Sequence, residues 1–485
     1  MRKSIRFLSG DRTVTIERVD PTMTVLDWLR RIEGRTGTKE GCNEGDCGAC
    51  TVLIGGLEDG RVRYRAVNAC IRLLATLDGC RLVTVEDLAR SDGGLHPVQR
   101  AMVEHHASQC GFCTPGIVMS LTGLMQDHGE APGTEEIDNA LSGNLCRCTG
   151  YAPIARAASH AFTLGDGRLD DDPAPLEALA DGEDIHLSDG HRHYFAPASL
   201  ASLLDLLDER PSARIVAGCT DVGLWINKAM RVLDEVIWVG RIAELRDIRE
   251  QEGGLDIGAA VTWEDALAPL STLYPGMHRV LLRFASRPVR HAATVGGNIA
   301  NGSPIGDGPP ALIAVGATLH LASRGERRSM PLEQFFIDYG KQDLRKGEIV
   351  ERITVPKPKP GSLFRCFKLS KRFDQDISAV LAAFALEFED GIVTSARIAM
   401  GGMAATPKRA GNAEAALLGK PWDQAAMERA REALQRDFTP IDDMRASADY
   451  RMTAAGNLLE RFFLETGGDG DVRPSDIFAA RSLAP

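Results

Sequence analysis

Eight of the eleven cysteines in this 485-residue chain fall into two quartets, and their spacing limits what the N-terminal third can fold into. The first is Cys42, Cys47 and Cys50 within Gly41–Cys50, closed by Cys70, a C-x4-C-x2-C…C pattern. That spacing is one used to hold a [2Fe–2S] cluster. The second is Cys110-x-x-Cys113 followed by Cys146-x-Cys148. Four thiolates serve the two irons of one such cluster, so eight imply two clusters and a path for single electrons. A zinc knot or unrelated buried thiols is the alternative for either quartet, more so for the second, whose C-x2-C…C-x-C spacing is less specific.

The residues between the cysteines fit the cluster reading. A buried anionic sulfur needs backbone N–H groups turned toward it. Gly41, Gly45 and Gly48 allow the chain to wrap that tightly. Thr114-Pro115-Gly116 opens a helix directly after Cys113, and Pro153 opens one after Cys146-Arg147-Cys148. Both put unpaired N–H groups beside the second quartet. Cys80, Cys219 and Cys366 stand alone and read as buried thiols. His105-His106 and His191-Arg192-His193 read as surface or helix-face histidines rather than metal ligands.

A chain this long exceeds one core and suggests about three domains. Its net charge of −11 makes nucleic acid or an anionic membrane a poor partner. The N-terminus has no secretory apolar core and no run is long enough to span a bilayer, so a cytoplasmic protein is expected. Residues 3–8 and 12–19 read as a hairpin, Val25, Leu26, Leu29 and Ile32 as a helix capped by Thr24, and 51–54 and 62–66 as strands around a Gly-rich turn. Four short helices are expected between 96 and 163. The charged, Gly- and Pro-rich stretch 164–190 reads as a solvated linker.

In the second half, Ile215-Val216-Ala217-Gly218-Cys219-Thr220-Asp221-Val222 is a strand entering a small-residue turn that offers N–H groups to a pyrophosphate, although an ordinary tight turn explains it equally. The stretch Phe284–Asp307 carries more Gly, Asn and Ser than a simple connection needs and suits a buried cofactor. No G-x-G-x-x-G follows a strand, so a Rossmann site is not indicated.

Gln109–Gly116 (QCGFCTPG) and Gly143–Tyr151 (GNLCRCTGY) closely resemble the iron–sulfur part of the molybdenum hydroxylases, over about residues 1–163. The second half resembles the FAD domain of the same family. The resemblance implies an α+β multidomain fold: a ferredoxin-like β-grasp [2Fe–2S] domain over 1–87, a four-helix [2Fe–2S] domain over 88–164, a linker over 165–190, a vanillyl-alcohol-oxidase/PCMH-type FAD-binding α+β domain over 191–362, and a C-terminal α+β domain over 363–475, like that of the CO dehydrogenase flavoprotein. It also implies roles. The second quartet and Gln109 lie nearest the molybdenum cofactor, and the first quartet lies nearer the flavin. The 215–222 turn with Thr294, Gly297 and Asn298 holds the FAD diphosphate and ribityl chain, and Asp307 a ribose or adenine-side group. Phe284 packs on the isoalloxazine, and Val350 and Lys368 make further FAD contacts. Cys219 departs from the asparagine or glycine often found in that turn. Lys371–Asp376 and Tyr339 border the nicotinamide entry.

The order of two cluster domains and then FAD, with no molybdenum-binding segment, is similar to the small subunit of bacterial xanthine dehydrogenases. That implies a second, molybdenum-binding polypeptide, an (αβ)2 assembly, purine hydroxylation on the partner and electron flow through both clusters and FAD to NAD+. An iron–sulfur/FAD subunit for an aldehyde, nicotinate or other N-heterocycle hydroxylase is the alternative within the family. A zinc-stapled adaptor without redox chemistry is the alternative outside it.

Overall fold

Period-two alternation at the N-terminus forms a hairpin, β1 (Ile5–Ser9) and β2 (Arg12–Ile16), which buries Ile5, Phe7 and Val14. The computed structural model describes residues 1–89, 93–170 and 172–467, in two units: Met1–Glu244 with Ala285–Ala293, and Leu245–Phe284 with the residues from Thr294 onward.

In the first unit the hairpin joins β3 (Thr51–Glu58), β4 (Arg61–Asn68) and β5 (Arg81–Val83) in the order β2-β1-β5-β3-β4. Thr24 caps α1 (Val25–Asp27) by accepting from the Asp27 N–H. The helix then widens over Trp28–Ile32, where Glu33 N–H reaches back to the Trp28 carbonyl, and Ile32 is left exposed rather than in the apolar stripe. Gly55 and Gly56 lie inside β3, not in a turn; the turn is Asp59-Gly60, both with positive φ. Gly55 is there because a Cβ would stand 2.8 Å from the Tyr64 ring on the neighbouring strand.

Four helices follow, α2 (Pro97–Glu104), α3 (Thr114–Asp127), α4 (Thr134–Leu141) and α5 (Ala152–Ala161). Helix α3 is buried along most of its length, and its core includes Leu53 and Ala66 of the sheet. The stretch after α5 is not a bare tether. It carries the short helix α6 (Ala174–Glu177) and β6 (Ile185–Ser188), and it buries Leu176, Leu179, Ile185 and Leu187. These leucines and isoleucines, thinly spread among the acidic residues, anchor it; Asp171 of the expected linker lies outside the described residues. Strand β6 pairs with β7 (His193–Ala196), and with β8 (Arg214–Val216) and β9 (Glu235–Trp238) forms the sheet β6-β7-β9-β8. Helix α7 (Leu200–Glu209) connects β7 to β8, and α8 (Val222–Asn227) follows the turn after β8.

The second unit begins with β10 (Ile248–Gln251), β11 (Gly254–Gly258), α9 (Trp263–Leu273) and α10 (His278–Leu282). After α11 (Arg287–Arg290), which belongs to the first unit, come α12 (Val295–Asn301) and α13 (Gly308–Ala314). Strands β12 (Thr318–Ser323) and β13 (Glu326–Pro331), the small pair β14 (Phe336–Asp338) and β15 (Lys341–Gln342), and β16 (Ile349–Pro356) complete this part, with sheet order β10-β11-β16-β12-β13. The last sheet is β17 (Leu363–Leu369), β18 (Val380–Glu389), β19 (Ile392–Gly401) and β20 (Lys408–Arg409). Its core is closed by α14 (Gly411–Leu417), α15 (Gln424–Leu434) and α16 (Ala448–Thr466). Residues 468–475, expected to end the last domain, lie outside the described residues. Among those described, no helix is long and apolar enough to cross a membrane.

The lone cysteines differ. Cys219 and Cys366 are buried, but Cys80, on the turn into β5, is only half-buried. His193 is also not a free surface histidine, because its Nδ1 lies 3.0 Å from His186 Nε2 across the β6–β7 ladder. One ring must be neutral for that bond. Burial first, then His193, Arg210 and Lys3, push His186 below its ordinary value. The unfolded chain therefore takes up the proton first, and stability should fall as pH drops below about 6.5. Denaturant midpoints at acidic and neutral pH should show that loss, and His186→Phe should shrink it. Glycine supplies a second test. A Cβ on Gly116 would stand 2.0 Å from the Gly48 carbonyl oxygen, so Gly116→Ala should cost about 2–3 kcal/mol in equilibrium unfolding.

Candidate functional site

The first quartet lies on the loop between the widened helix and β3, with Cys70 just past the end of β4. Cys50 and Cys70 are buried, and Cys42 and Cys47 half-buried. Gly45 and Gly48 hold positive φ. Gly41 has another reason to be glycine: a Cβ there would stand 2.7 Å from Cys47 Sγ. The loop turns its N–H groups inward. Asp46 and Cys47 donate to Cys42 Sγ, and Cys42 donates to Cys47 Sγ, each at 3.3 Å.

The thiols are close enough to share protons. Cys42 is pulled down to about 5, chiefly by its hydrogen bond with Cys47, and Cys47 is pushed up by the same bond. Cys50 is likewise pulled down by Cys70, and Cys70 is pushed up by Cys50. No group of three or more His, Cys, Asp or Glu side chains among the described residues has the geometry of a single-ion site. The paired thiols, inward N–H groups and glycine cradle suit an anionic sulfur-ligated centre.

The second quartet sits at helix starts. Cys113 is the N-cap of α3, and Tyr151, at positive φ, leads into α5. Cys146 is buried, Cys113 half-buried, and Cys110 and Cys148 exposed. Burial, then the hydrogen bond with Cys146, pushes the Cys113 thiol up to about 12. Burial opposes ionisation of Cys146 as well, but hydrogen bonds from Thr149 and Cys148 outweigh it and draw this thiol down. Gln109 is exposed, and so are the large apolar side chains of Phe112, Leu145 and Tyr151 around the quartet.

The two cysteine loops are hydrogen-bonded to each other, which the spacing did not reveal. Leu145 N–H donates to the Cys47 carbonyl at 3.0 Å. Asn144, buried, donates to the Gly48 carbonyl at 3.1 Å and accepts from Ser120 Oγ at 2.6 Å. On the other side, Asn227 at the end of α8 donates to the Cys70 carbonyl at 2.7 Å, and Lys228 Nζ to the Cys42 carbonyl at 2.5 Å. Asn144, Asn227 and Lys228 were missed; only the position of Asn144 in GNLCRC offered a signal.

The 215–222 turn leaves β8 and enters α8. Gly218 has no alternative there, since a Cβ would stand 1.7 Å from the Ala292 carbonyl oxygen of the same unit. Cys219 takes positive φ and buries its thiol in the core, where burial pushes it up to about 11. That leaves this turn its backbone, not the Cys219 side chain, for binding.

In the second unit, Thr294 caps α12 by accepting from Gly297 N–H at 3.1 Å. Phe284 packs on Trp263 at 5.0 Å between ring centroids. Asn298 Oδ1 and Trp263 Nε1 are buried with no hydrogen-bond partner among the described residues, and a Cβ on Gly308 would stand 2.5 Å from Asn298 Oδ1 and 2.4 Å from the Trp263 ring. Two orphaned polar atoms, with Gly308 against Asn298, fit a polar cofactor such as the flavin. Trp263 was not read from the sequence. Val350 is buried in β16, opposite Leu321. Asp307 and Lys368 pair with each other at 2.6 Å, with side chains 8% and 1% exposed. Ser378 donates to the other Asp307 oxygen at 2.5 Å.

Comparison with known proteins finds four matching domains in succession. Residues 7–74 match a 2Fe-2S iron-sulfur cluster binding domain and 84–159 a [2Fe-2S] binding domain. Residues 188–358 match the FAD binding domain in molybdopterin dehydrogenase, and 365–466 the CO dehydrogenase flavoprotein C-terminal domain. A solved carbon monoxide dehydrogenase chain from Hydrogenophaga pseudoflava is 31% identical, with a TM-score of 0.54, over 56% of this chain and 96% of that one. The chain belongs to the molybdenum hydroxylase family. It carries the electron-transfer part of such an enzyme, two [2Fe–2S] domains and an FAD domain. Quinoline 2-oxidoreductase from Pseudomonas putida 86 is similar at 28% identity and a TM-score of 0.52, over 56% of this chain and 95% of that one. Xanthine dehydrogenase from Drosophila subobscura is 33% identical over 88% of this chain. The chain spans 36% of that relative's length.

The buried Asp307–Lys368 pair yields a test. Lys368→Met leaves a carboxylate shut away without its cation and should cost about 3–5 kcal/mol. Lys368→Met combined with Asp307→Leu should recover most of that in denaturant unfolding.

Proposed function

We propose that this chain is the iron–sulfur/FAD subunit of a xanthine dehydrogenase. A separate molybdenum-binding chain hydroxylates a purine such as hypoxanthine or xanthine, and this chain carries the electrons to NAD+. The observation that carries the reading is the direct hydrogen bonding of one cysteine loop to the other, through Leu145 and Asn144, within a chain that also holds an FAD domain. When bound, the clusters supply one-electron transfer, and the flavin converts single electrons into hydride delivery.

The residues then have these tasks. Cys42, Cys47, Cys50 and Cys70 hold one cluster, and Cys110, Cys113, Cys146 and Cys148 the other. The inward N–H groups stabilise the thiolates. Exposed Gln109, Phe112, Leu145 and Tyr151 form the face that meets the molybdenum-binding chain in an (αβ)2 assembly, where apolar side chains exclude water around the second quartet. Ile215–Val222 gives backbone N–H groups to the FAD diphosphate. Thr294, Gly297 and Asn298 hold its ribityl region, Phe284 with Trp263 flanks the isoalloxazine, and Asp307, Val350 and Lys368 form the remaining wall. Exposed Tyr339 and the Lys371–Asp376 loop border the nicotinamide. The subunit works in the cytoplasm.

A second reading keeps these tasks and changes the partner's substrate. The similarity to quinoline 2-oxidoreductase favours it, and an N-heterocycle or aldehyde would replace the purine. Anaerobic addition of NADH to the purified chain should bleach the flavin and cluster absorbance together. Bands that stay unbleached with the partner chain present would reject NAD+ as acceptor. Turnover of quinoline but not xanthine by the copurified complex would select the second reading.

A further inference from the structure

Asn68 ends β4, opposite Thr51 in the ladder and two residues before Cys70. Its side chain is only 2% exposed, and neither Nδ2 nor Oδ1 has a hydrogen-bond partner among the described residues. A buried amide left unpaired forfeits its hydration with nothing in return, a penalty few residues carry without a use.

Its surroundings point to that use. Asn68 faces the first cysteine loop, since a Cβ on Gly45 would stand 3.8 Å from Asn68 Oδ1. The other polar groups nearby are already engaged: Thr51 Oγ1 donates to the Gly48 carbonyl, and Asn227 Nδ2 to the Cys70 carbonyl. The N–H of Asn68 is therefore left for sulfur.

We propose that Asn68 sets the reduction potential of the centre held by Cys42, Cys47, Cys50 and Cys70, by donating its amide N–H to the sulfur side of that centre. The inference rests on the cluster reading above and adds a residue to it. Reduction adds one electron whose charge spreads onto sulfur, and a fixed N–H donor stabilises that state more than the oxidised one. Asn68 thus makes the first centre easier to reduce than its buried thiolates alone would.

The test is a redox titration of the holo full-length chain, followed by electron paramagnetic resonance, for wild type, Asn68→Leu, Asn68→Asp and Asn68→Ser. Cys50→Ala identifies the signal of the first quartet. Asn68→Leu should keep its iron and make that centre about tenfold harder to reduce, about 59 mV more negative for one electron, while the second signal stays in place. Asn68→Asp, which matches the shape but adds charge, should move it further. Asn68→Ser, which keeps a donor, should lie nearer wild type. An unchanged midpoint in an iron-loaded Asn68→Leu or Asn68→Asp chain overturns the proposal. If both lose the centre while Asn68→Ser keeps it, the need for a donor is upheld; loss in all three marks a packing role and overturns it. A wild-type chain that takes up no iron overturns the cluster reading itself, a different failure.

Discussion

Three backbones meet at Gly48 with no room between them, and the first unit is built around that meeting. The start of α3 approaches through Gly116, and the second cysteine loop through the Gly143 carbonyl, which a Cβ on Gly48 would meet at 2.1 Å. Such an approach requires glycine on both faces, and Gly48 requires it twice because its φ is +68°. Asn144 then spans the join, satisfied by Ser120 on one side and the Gly48 carbonyl on the other. A sheet domain and a helical domain that would otherwise meet through side chains meet through main chain. The spacing between their cysteine loops is therefore set by direct main-chain contact and hydrogen bonds rather than by interdigitating side chains.

Around that join the chemistry follows from how charge is buried. A thiolate in a protein interior survives only where dipoles are turned toward it. The loop Cys42–Cys47 supplies them from its own N–H groups, and hydrogen bonds from Thr149 and Cys148 supply them for Cys146 in the second quartet. The second unit buries charge differently, as an ion pair. Lys368 and Asp307 neutralise each other, and Ser378 and the Arg283 carbonyl take up their remaining hydrogen bonds. One solution leaves anionic sulfur available to a metal centre; the other makes a closed, rigid wall.

Much of this was legible because the signals were local. The Thr24 cap and the Thr-Pro-Gly helix start are each set within a few residues of chain, and each has its expected local form. What escaped had its cause elsewhere in the chain. Gly55 looked like a turn because the Tyr64 ring that demands glycine there lies on the next strand. Residues 165–190 looked like a tether because Leu176, Leu179, Ile185 and Leu187 are too sparse to show a period, yet all are buried. Trp263 precedes the Phe284 motif by some twenty residues and carries no motif of its own. Asn227 and Lys228 end an unremarkable helix, and only the fold gives them Cys70 and Cys42 as acceptors.

Those last contacts bear on how many polypeptides such a unit needs. The segment from Arg168 to Asp184 joins the cluster domains to the β6-β7-β9-β8 sheet, but it is not their sole attachment. Arg2 donates to the Asp184 carbonyl and accepts from His186 N–H, extending β6 by a bridge to the chain's first residues. Asn227 and Lys228 grip the first cysteine loop, and Ile71 packs against Gly223. The two stretches of chain also share one apolar core, with Ile5, Phe7 and Leu77 on one side of that segment and Ile185, Tyr194 and Trp238 on the other. Covalent continuity here is a matter of delivery, keeping the pieces in equal number, rather than of cohesion. A gene encoding this unit could divide at that point and its products could still assemble.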